Sequence, residues 1–306
     1  MPITIPDSLP AQKTLEDENI FVMTEYRAVH QDIRPLNVLI LNLMPTKITT
    51  ETQILRKLSN TPLQVQIELL QTATYTGSHT DVSHLQQFYY TFDQVRDKKY
   101  DGMIITGAPL DYVKFEDVAY WKELCEIMEW TKTHVHCTFH LCWGAFAGLF
   151  YHHGIMKYDL PTKLFGVFHH KVYKPQSPLF RGFDDNFLAP QSRATDVHLE
   201  DMLACPDIEV LATTMEGSPT IAKTKDNRQF YVLCHTEYDW NTLKLEYDRD
   251  MAKGLTSVQL PINYFPDDDP TKTPPVTWRA TGQLLYCNWL NYYVYQSTPY
   301  DRMQIR

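Results

Sequence analysis

The chain has 306 residues, 43% of them hydrophobic, and a formal charge of −9 from 37 acidic and 28 basic side chains. That is enough apolar material for one large core and the wrong balance for neutralising a phosphate backbone, which excludes nucleic acid as a partner. No apolar run approaches the roughly 18 residues of a membrane span and the N-terminal segment has neither a basic nor an apolar leader, so no membrane is expected and the chain is read as cytoplasmic.

The predicted elements alternate in the manner of β-α units around a mostly parallel sheet. After an N-terminal extension (1–35) comes the strand "LNVLILNL" (36–43), the helix "KITTETQILRKLSN" (47–60) and a second strand, "LQVQIELL" (63–70). The strand "YDGMIITGA" (100–108) is followed by an amphipathic helix over 115–133 and the strand "HVHCTFHL" (134–141). The stretch 158–192, rich in Pro, Gly and aromatics, is expected to be irregular. "IEVLAT" (208–213) and a hairpin of "TIAKT" with "QFYVLCH" (229–235) across the turn "KDNR" complete the strands. The Pro-rich segment 259–276 precedes a final helix over 278–296, and the expectation is a single domain spanning 1–306 with a C-terminal appendage (259–306). The six cysteines, 125, 137, 142, 205, 234 and 287, make no C-x-x-C pair, which favours reduced thiols over disulfides or a zinc knuckle.

Cys142 stands where "FHL" gives way to the small residues Gly144, Ala145, Ala147 and Gly148. A thiol between a strand end and a helix N-terminus meets unpaired N–H groups and a partial positive charge, which favour the thiolate, and the Trp143 N–H is available to an oxyanion. A buried packing cysteine is the plainer alternative. In "FYVLCHTEYD", His235 and Glu237 lie just past another strand and, two residues apart in extended chain, point the same way. A His base and a carboxylate that orients it, with Cys142, make the parts of a Cys-His-Glu triad. Two other readings stay open. His134, His136 and His140 share one face of a predicted strand, where H-x-H is a way to hold zinc. The helix carrying Trp289, Leu290, Tyr293 and Val294 is a core face or a dimer face, and it motivates the expectation of a homodimer.

The motifs "LNLMPTKITTETQ", "ITGAPLDYVKFEDVAYW", "HLCWGAFAGL", "KLFGVF", "CHTEYD", "EYDRD", "PINYFPDDDP" and "NWLNYYVYQSTPYD" run nearly end to end and resemble the homoserine O-succinyltransferase/O-acetyltransferase family. The resemblance implies an α/β fold like that of class I glutamine amidotransferases (flavodoxin-like) with irregular additions. It also implies acyl transfer from acyl-CoA to an amino-acid hydroxyl in methionine biosynthesis, with no bound cofactor and no metal. By motif, Cys142 would be the acyl-thioester nucleophile, His235 the base and Glu237 its orienter. Lys47 would join the Trp143 N–H in an oxyanion hole, and Lys163, Ser192 and Arg249 would line the substrate site. Lysines and arginines in such places are more often surface groups, Arg249 paired with Glu246 or Asp250. A glutamine-hydrolysing amidotransferase would use the same triad.

In the family, Glu after G-A-P-x goes with acetyl-CoA and Gly with succinyl-CoA; here the residue is Asp111. A carboxylate about 5 Å from the distal carboxylate of a succinyl group would cost about 3 kcal/mol at an effective dielectric near 20, which favours acetyl-CoA. Phe146, Gln191, Thr236 and Thr281 depart from the family's usual residues, and they leave L-serine as an alternative acceptor to L-homoserine, since one methylene is worth only about 1–3 kcal/mol.

Overall fold

The computed structural model describes residues 3–18, 22–25, 35–74, 82–254, 258–299 and 301–305. Among these, strands β1 (Ile3–Ile5), β2 (Met23–Thr24), β3 (Leu36–Leu41), β4 (Val65–Leu70), β5 (Tyr89–Tyr90), β6 (Tyr100–Ile105) and β7 (Val135–Leu141) pair in parallel. Strands β8 (Lys157–Val172), β9 (Asn186–Val197), β10 (Ile208–Thr214), β11 (Pro219–Thr224) and β12 (Gln229–Val232) continue the same sheet, with β12 parallel to β7 and the remainder antiparallel. The spatial order is β2-β1-β4-β3-β6-β7-β12-β11-β10-β8-β9, with β5 off β4.

The β3 sequence shows why the sheet is sandwiched. Val38 and Ile40 project into one apolar cluster while Leu39 and Leu41 project into another on the opposite face. A strand buried on both faces has to be apolar throughout, unlike the alternating strands of a half-solvated sheet. One face receives Ala11 and Leu15 of α1 (Ala11–Asp17) and the Ile54, Leu55 and Leu58 stripe of α2 (Lys47–Leu58). Short helices α3 (Val82–Phe88) and α4 (Phe92–Val95) lead from β4 towards β6. The other face receives Leu124, Ile127 and Met128 of α5 (Trp121–His134) and the buried side of α6 (Trp143–His153).

Three expectations are corrected, and the N-terminal extension, for which no element was expected, adds two strands. The segment 158–192 holds most of the long antiparallel β8–β9 pair: a register shift between Asp159 and Leu164 accommodates Pro161, and Gly166 takes φ 143° as Ile262 crosses it. Pro190 is tolerated because β9 is the edge of the sheet, where a missing N–H breaks no ladder beyond it. The helix expected over 115–133 begins only at Trp121, after a 3-10 turn (Phe115–Asp117) that ends on extended Val118. The strand expected over 229–235 stops at Val232. In the N-terminal extension, β1 and β2 are part of the sheet, β1 lying against β4.

After α7 (Leu199–Ala204), the hairpin and α8 (Thr242–Ala252), the Pro-rich segment is irregular apart from the 3-10 turn Pro266–Asp268. The final helix α9 (Arg279–Asn288) widens to a π-helix over Trp289–Tyr295. Trp289, Leu290, Tyr293 and Val294 are buried within the chain itself, with Trp289 Nε1 donating to Cys137 Sγ at 3.1 Å. They offer no dimer or docking face, and the homodimer expectation loses its stated basis. Among the described residues no helix is long and apolar enough to cross a membrane.

Two substitutions test this packing. Trp289 is 0% exposed, so Trp289→Ala should lower the unfolding free energy by about 3–5 kcal/mol in a denaturant titration; a loss under about 1 kcal/mol would show that the helix is not core. A Cβ on Gly144 would lie 2.6 Å from the Thr106 carbonyl oxygen and 2.9 Å from that of Ile105. Because both obstacles are backbone, Gly144→Ala should destabilise by about 1–3 kcal/mol and reduce activity together, and a variant with wild-type melting and turnover would refute that close approach.

Candidate active site

The thiol stands where β7 turns into α6. Cys142 is the N-cap of that helix, with φ 47° and ψ −116°, a left-handed conformation that costs a non-glycine residue on the order of 1–3 kcal/mol. The turn is fixed from both sides: the Cys142 N–H donates to the Val232 carbonyl at 2.8 Å, and the Cys142 carbonyl accepts from Ala145 N–H at 2.9 Å and Phe146 N–H at 3.1 Å. Trp143 is the first helical residue, so its N–H has no acceptor within the helix and remains at the end that carries the positive pole of the dipole. Gly107, just past β6, was not singled out in the sequence. A Cβ there would lie 3.2 Å from Cys142 Cβ and 3.5 Å from Trp143 N, so only a hydrogen keeps the space before thiol and amide open. The "ITGAP" motif carried that signal.

His235 lies three residues beyond β12 and its Nδ1 is 2.7 Å from Glu237 Oε1. The two are joined across a turn closed by Tyr238 N–H donating to the His235 carbonyl at 3.3 Å, rather than along extended chain as the spacing had implied. His235 N–H donates to the carbonyl of Pro190 at 2.8 Å, which ties this turn to β9. With Nδ1 bonded to the carboxylate, Nε2 is the free nitrogen; it is buried and has no hydrogen-bond partner of ordinary geometry among the described residues. Burial opposes a charged imidazole, but the charges of Cys142 and Glu237 outweigh it and push the His235 pKa well above the usual histidine range. Cys142, His235 and Glu237 are 7%, 6% and 5% exposed, which places the three groups in a poorly solvated cluster. Charges interact strongly in such surroundings. Tyr238 stacks on the His235 ring with centroids 4.1 Å apart.

Lys47 opens α2 at the carboxyl end of β3, and its ammonium donates to the Asn42 carbonyl at 2.5 Å. Burial pulls its pKa down to about 8, with the nearby Glu51 charge opposing the drop. Lys163 on β8 and Ser192 on β9 meet at one carboxylate oxygen, Glu246 Oε2, at 3.3 Å and 2.5 Å. Tyr238 OH approaches Oε1 of the same group at 3.4 Å. Glu246 thus ties two of the three expected substrate residues together, with Arg249 one turn along α8. In the sequence Glu246 figured only as a partner for Arg249. Arg249 pairs with Asp250, the other partner expected for a surface arginine, at 2.9 Å, its side chain 55% exposed.

Asp111 packs against β9, where Thr195 Oγ1 donates to its Oδ1 at 3.4 Å. Burial raises its pKa, opposed by an Ala194 backbone hydrogen bond and by the charges of Lys157 and Lys163. Two departures prove to be core residues: Phe146 is 0% exposed beneath the Arg193 guanidinium at 5.8 Å, and Gln191 is hydrogen-bonded to His170 at 3.0 Å. Thr281 lines a cavity with Phe168 and Phe183, and Thr236 is buried against Gly282. None of these contacts describes an acceptor pocket, which removes the stated ground for a drift towards serine.

The three histidines of the zinc reading have separate partners. His134 ends α5 beside Thr133, His136 meets Ser297 at 2.9 Å, and His140 meets Gln229 at 2.8 Å. Among the described residues no group of three or more His, Cys, Asp or Glu side chains gathers to hold a metal. All six cysteines are free thiols. A cavity of about 1130 Å³ opens on the far side of the cluster; Lys57, Glu237, Tyr238 and Arg279 are among its lining, and Cys142 is not.

Among solved structures, a glutamine amidotransferase from Thermotoga maritima superposes with a TM-score of 0.56 at 12% identity, covering 84% of this chain and 98% of that one. One from Methylobacillus flagellatus gives 0.50 at 11% identity, over 85% and 95%. At such identities these likenesses show the fold, and the expected glutamine-amidotransferase-like α/β architecture is the one found. Among curated proteins, a homoserine O-acetyltransferase of Acetivibrio thermocellus is 56% identical over the whole of both chains. One of Lachnoclostridium phytofermentans is 56% identical over 98% of this chain and 100% of its own, and one of Geobacillus kaustophilus is 54% identical over 98% and 99%. The family model for homoserine O-succinyltransferase matches residues 2–300. With the family's motifs in order along the sequence and its model matched from end to end, this chain belongs to the homoserine O-succinyltransferase family.

Proposed function

We propose that the protein is a homoserine O-acetyltransferase of methionine biosynthesis, a single acyltransferase domain that works through a Cys142 thioester. The observation that carries the mechanism is a thiol held at a strained helix N-cap in the same buried cluster as an imidazole whose other nitrogen is fixed by Glu237. The acetyl donor and the acceptor come from the relatives, which bear the name homoserine O-acetyltransferase and match over the whole chain.

The Cys142 thiolate attacks the carbonyl carbon of acetyl-CoA. The Trp143 N–H and Lys47 receive the charge that develops on the carbonyl oxygen, and such donors matter most in a site from which water is excluded. The carbon–sulfur bond to CoA breaks, and the CoA thiolate takes a proton from the His235 imidazolium as it leaves. Neutral His235 then accepts the proton of the homoserine hydroxyl while that oxygen attacks the acetyl-Cys142 carbonyl, and collapse releases O-acetylhomoserine and restores the thiolate. Glu237 keeps His235 in the orientation and tautomer that both half-reactions need. Lys163 and Ser192, held by Glu246, and Arg249, one turn along α8, bind the amino acid; the Arg249 guanidinium suits the α-carboxylate, for which it leaves Asp250.

Asp111 favours acetyl by occupying a cationic place. A succinyl donor would bring its distal carboxylate to a region where a half-buried carboxylate already draws on Lys157 and Lys163. Removing that side chain frees both lysines for the incoming charge.

Steady-state assays crossing acetyl-CoA and succinyl-CoA with L-homoserine and L-serine test the reading. kcat/KM should be highest for acetyl-CoA with homoserine, and a serine value about tenfold above that for homoserine would overturn the acceptor. Asp111→Gly should move the acetyl-to-succinyl ratio of kcat/KM towards succinyl by at least about tenfold. An unchanged ratio would remove Asp111 from donor choice.

A further inference from the structure

We propose that Lys57 is a positioning residue for the triad, acting through Glu237 from the face of the sheet opposite the thiol's own helix; the proposal rests on the reading of Cys142, His235 and Glu237 as the reacting groups. Lys57 lies near the end of α2 and is only 5% exposed, an uncommon situation for a lysine. Among the described residues no carboxylate stands within 4.0 Å of its ammonium, so its burial has no short ion pair to explain it. Glu237 has a matching deficit: Oε1 holds His235, while Oε2 is buried and without a hydrogen-bond partner among the described residues.

The two groups share one small space. Both line the cavity of about 1130 Å³ behind the triad. A Cβ on Gly282 of α9 would lie 3.0 Å from Lys57 Nζ, 2.5 Å from the Thr236 carbonyl oxygen and 3.1 Å from Thr236 Cβ. Thr236 is the residue between His235 and Glu237, so a bare glycine is what lets α9, the ammonium and the triad turn come together. Burial lowers the Lys57 pKa to about 8, and of the charges opposing that drop the largest is Glu237, ahead of Asp239; Arg56 and Arg279 act the other way. An attraction that supports the lysine's charge supports the carboxylate's equally. Lys57 therefore offers Glu237 a counter-charge and holds its carboxylate turned towards His235, in a site where its second oxygen has no hydrogen-bond donor among the described residues.

The groups that face this pair come from every side. Arg56 is on α2, Cys234, His235, Tyr238 and Asp239 belong to the triad turn, Arg279 and Tyr286 are on α9, and Cys142 stands at the elbow. Removing the cation makes every proton that must leave to activate the cluster harder to remove, so the acidic limb of the pH profile moves to higher pH.

Lys57→Met, Glu237→Gln and the double variant, assayed with acetyl-CoA and homoserine across pH and followed by thermal melting, test the proposal. Lys57→Met should lower kcat by about tenfold or more with both KM values within about threefold, raise the acidic limb of kcat/KM by about half a pH unit and leave the melting temperature unchanged or higher. In the Glu237→Gln background the same change should alter kcat by less than about twofold, because the lysine acts through that carboxylate. Equal fold losses in the two backgrounds, or kcat within about twofold of wild type in Lys57→Met, would overturn it. If Glu237→Gln alone kept full activity, the triad reading itself would fall and this proposal with it. A crippled Glu237→Gln beside a near-normal Lys57→Met would overturn the lysine's role and leave the triad reading intact.

Discussion

The structure turns on one backbone conformation, the left-handed turn at Cys142. A thiol at the end of β7 reaches the pole of a helix only if the chain reverses within a single residue, and a side chain at φ 47° is held there by its surroundings rather than by its own preference. The surroundings are specific. Val232 on the neighbouring strand accepts the Cys142 N–H, α6 caps onto its carbonyl, and Gly144 lets that helix sit against the carbonyls of Ile105 and Thr106. The apolar sheet, buried on both faces, makes those neighbours rigid.

From that turn the electrostatics follow outward. Cys142 and Glu237 act on His235 from two sides, and their combined charge overcomes a burial that would otherwise keep the ring neutral. Tyr238 stacks on the ring and reaches Glu246, which holds Lys163 and Ser192, so the base is joined to the proposed amino-acid site through packed groups. Asp111 interacts with the same Lys163. One lysine thus lies between the group proposed to read the donor and the group proposed to gather the acceptor site.

Much of this was legible in the sequence because it depends on local pattern. The apolar runs of β3, β4, β6 and β7 announce a sheet buried on both faces, and Cys142, followed by Gly144 and Ala145, announces a tight strand-to-helix passage. What was not legible depends on pairing between distant segments. Pro161, Gly166 and Pro190 look like breakers, yet an irregular register and an edge position let β8 and β9 run through them. The aromatic stripe of the last helix looked equally suited to a partner or to a core, and only the place of Trp289 over β6 and β7 decides it. Phe146 and Gln191 lie beside catalytic motifs in sequence but point to Arg193 and His170, because adjacent residues of a helix or strand face different ways. Glu246 acts through residues far off in the chain, and no short motif marks that, whereas Gly107 lies within the "ITGAP" motif.

The central claim is that the acetyl group passes through Cys142. Intact-mass and peptide-level mass spectrometry of the protein mixed with acetyl-CoA alone tests it most directly. The expected result is a single acetyl adduct located on Cys142, absent from Cys142→Ala and discharged on addition of homoserine. Turnover with undiminished rate in Cys142→Ala, or an adduct that homoserine does not discharge, would contradict it.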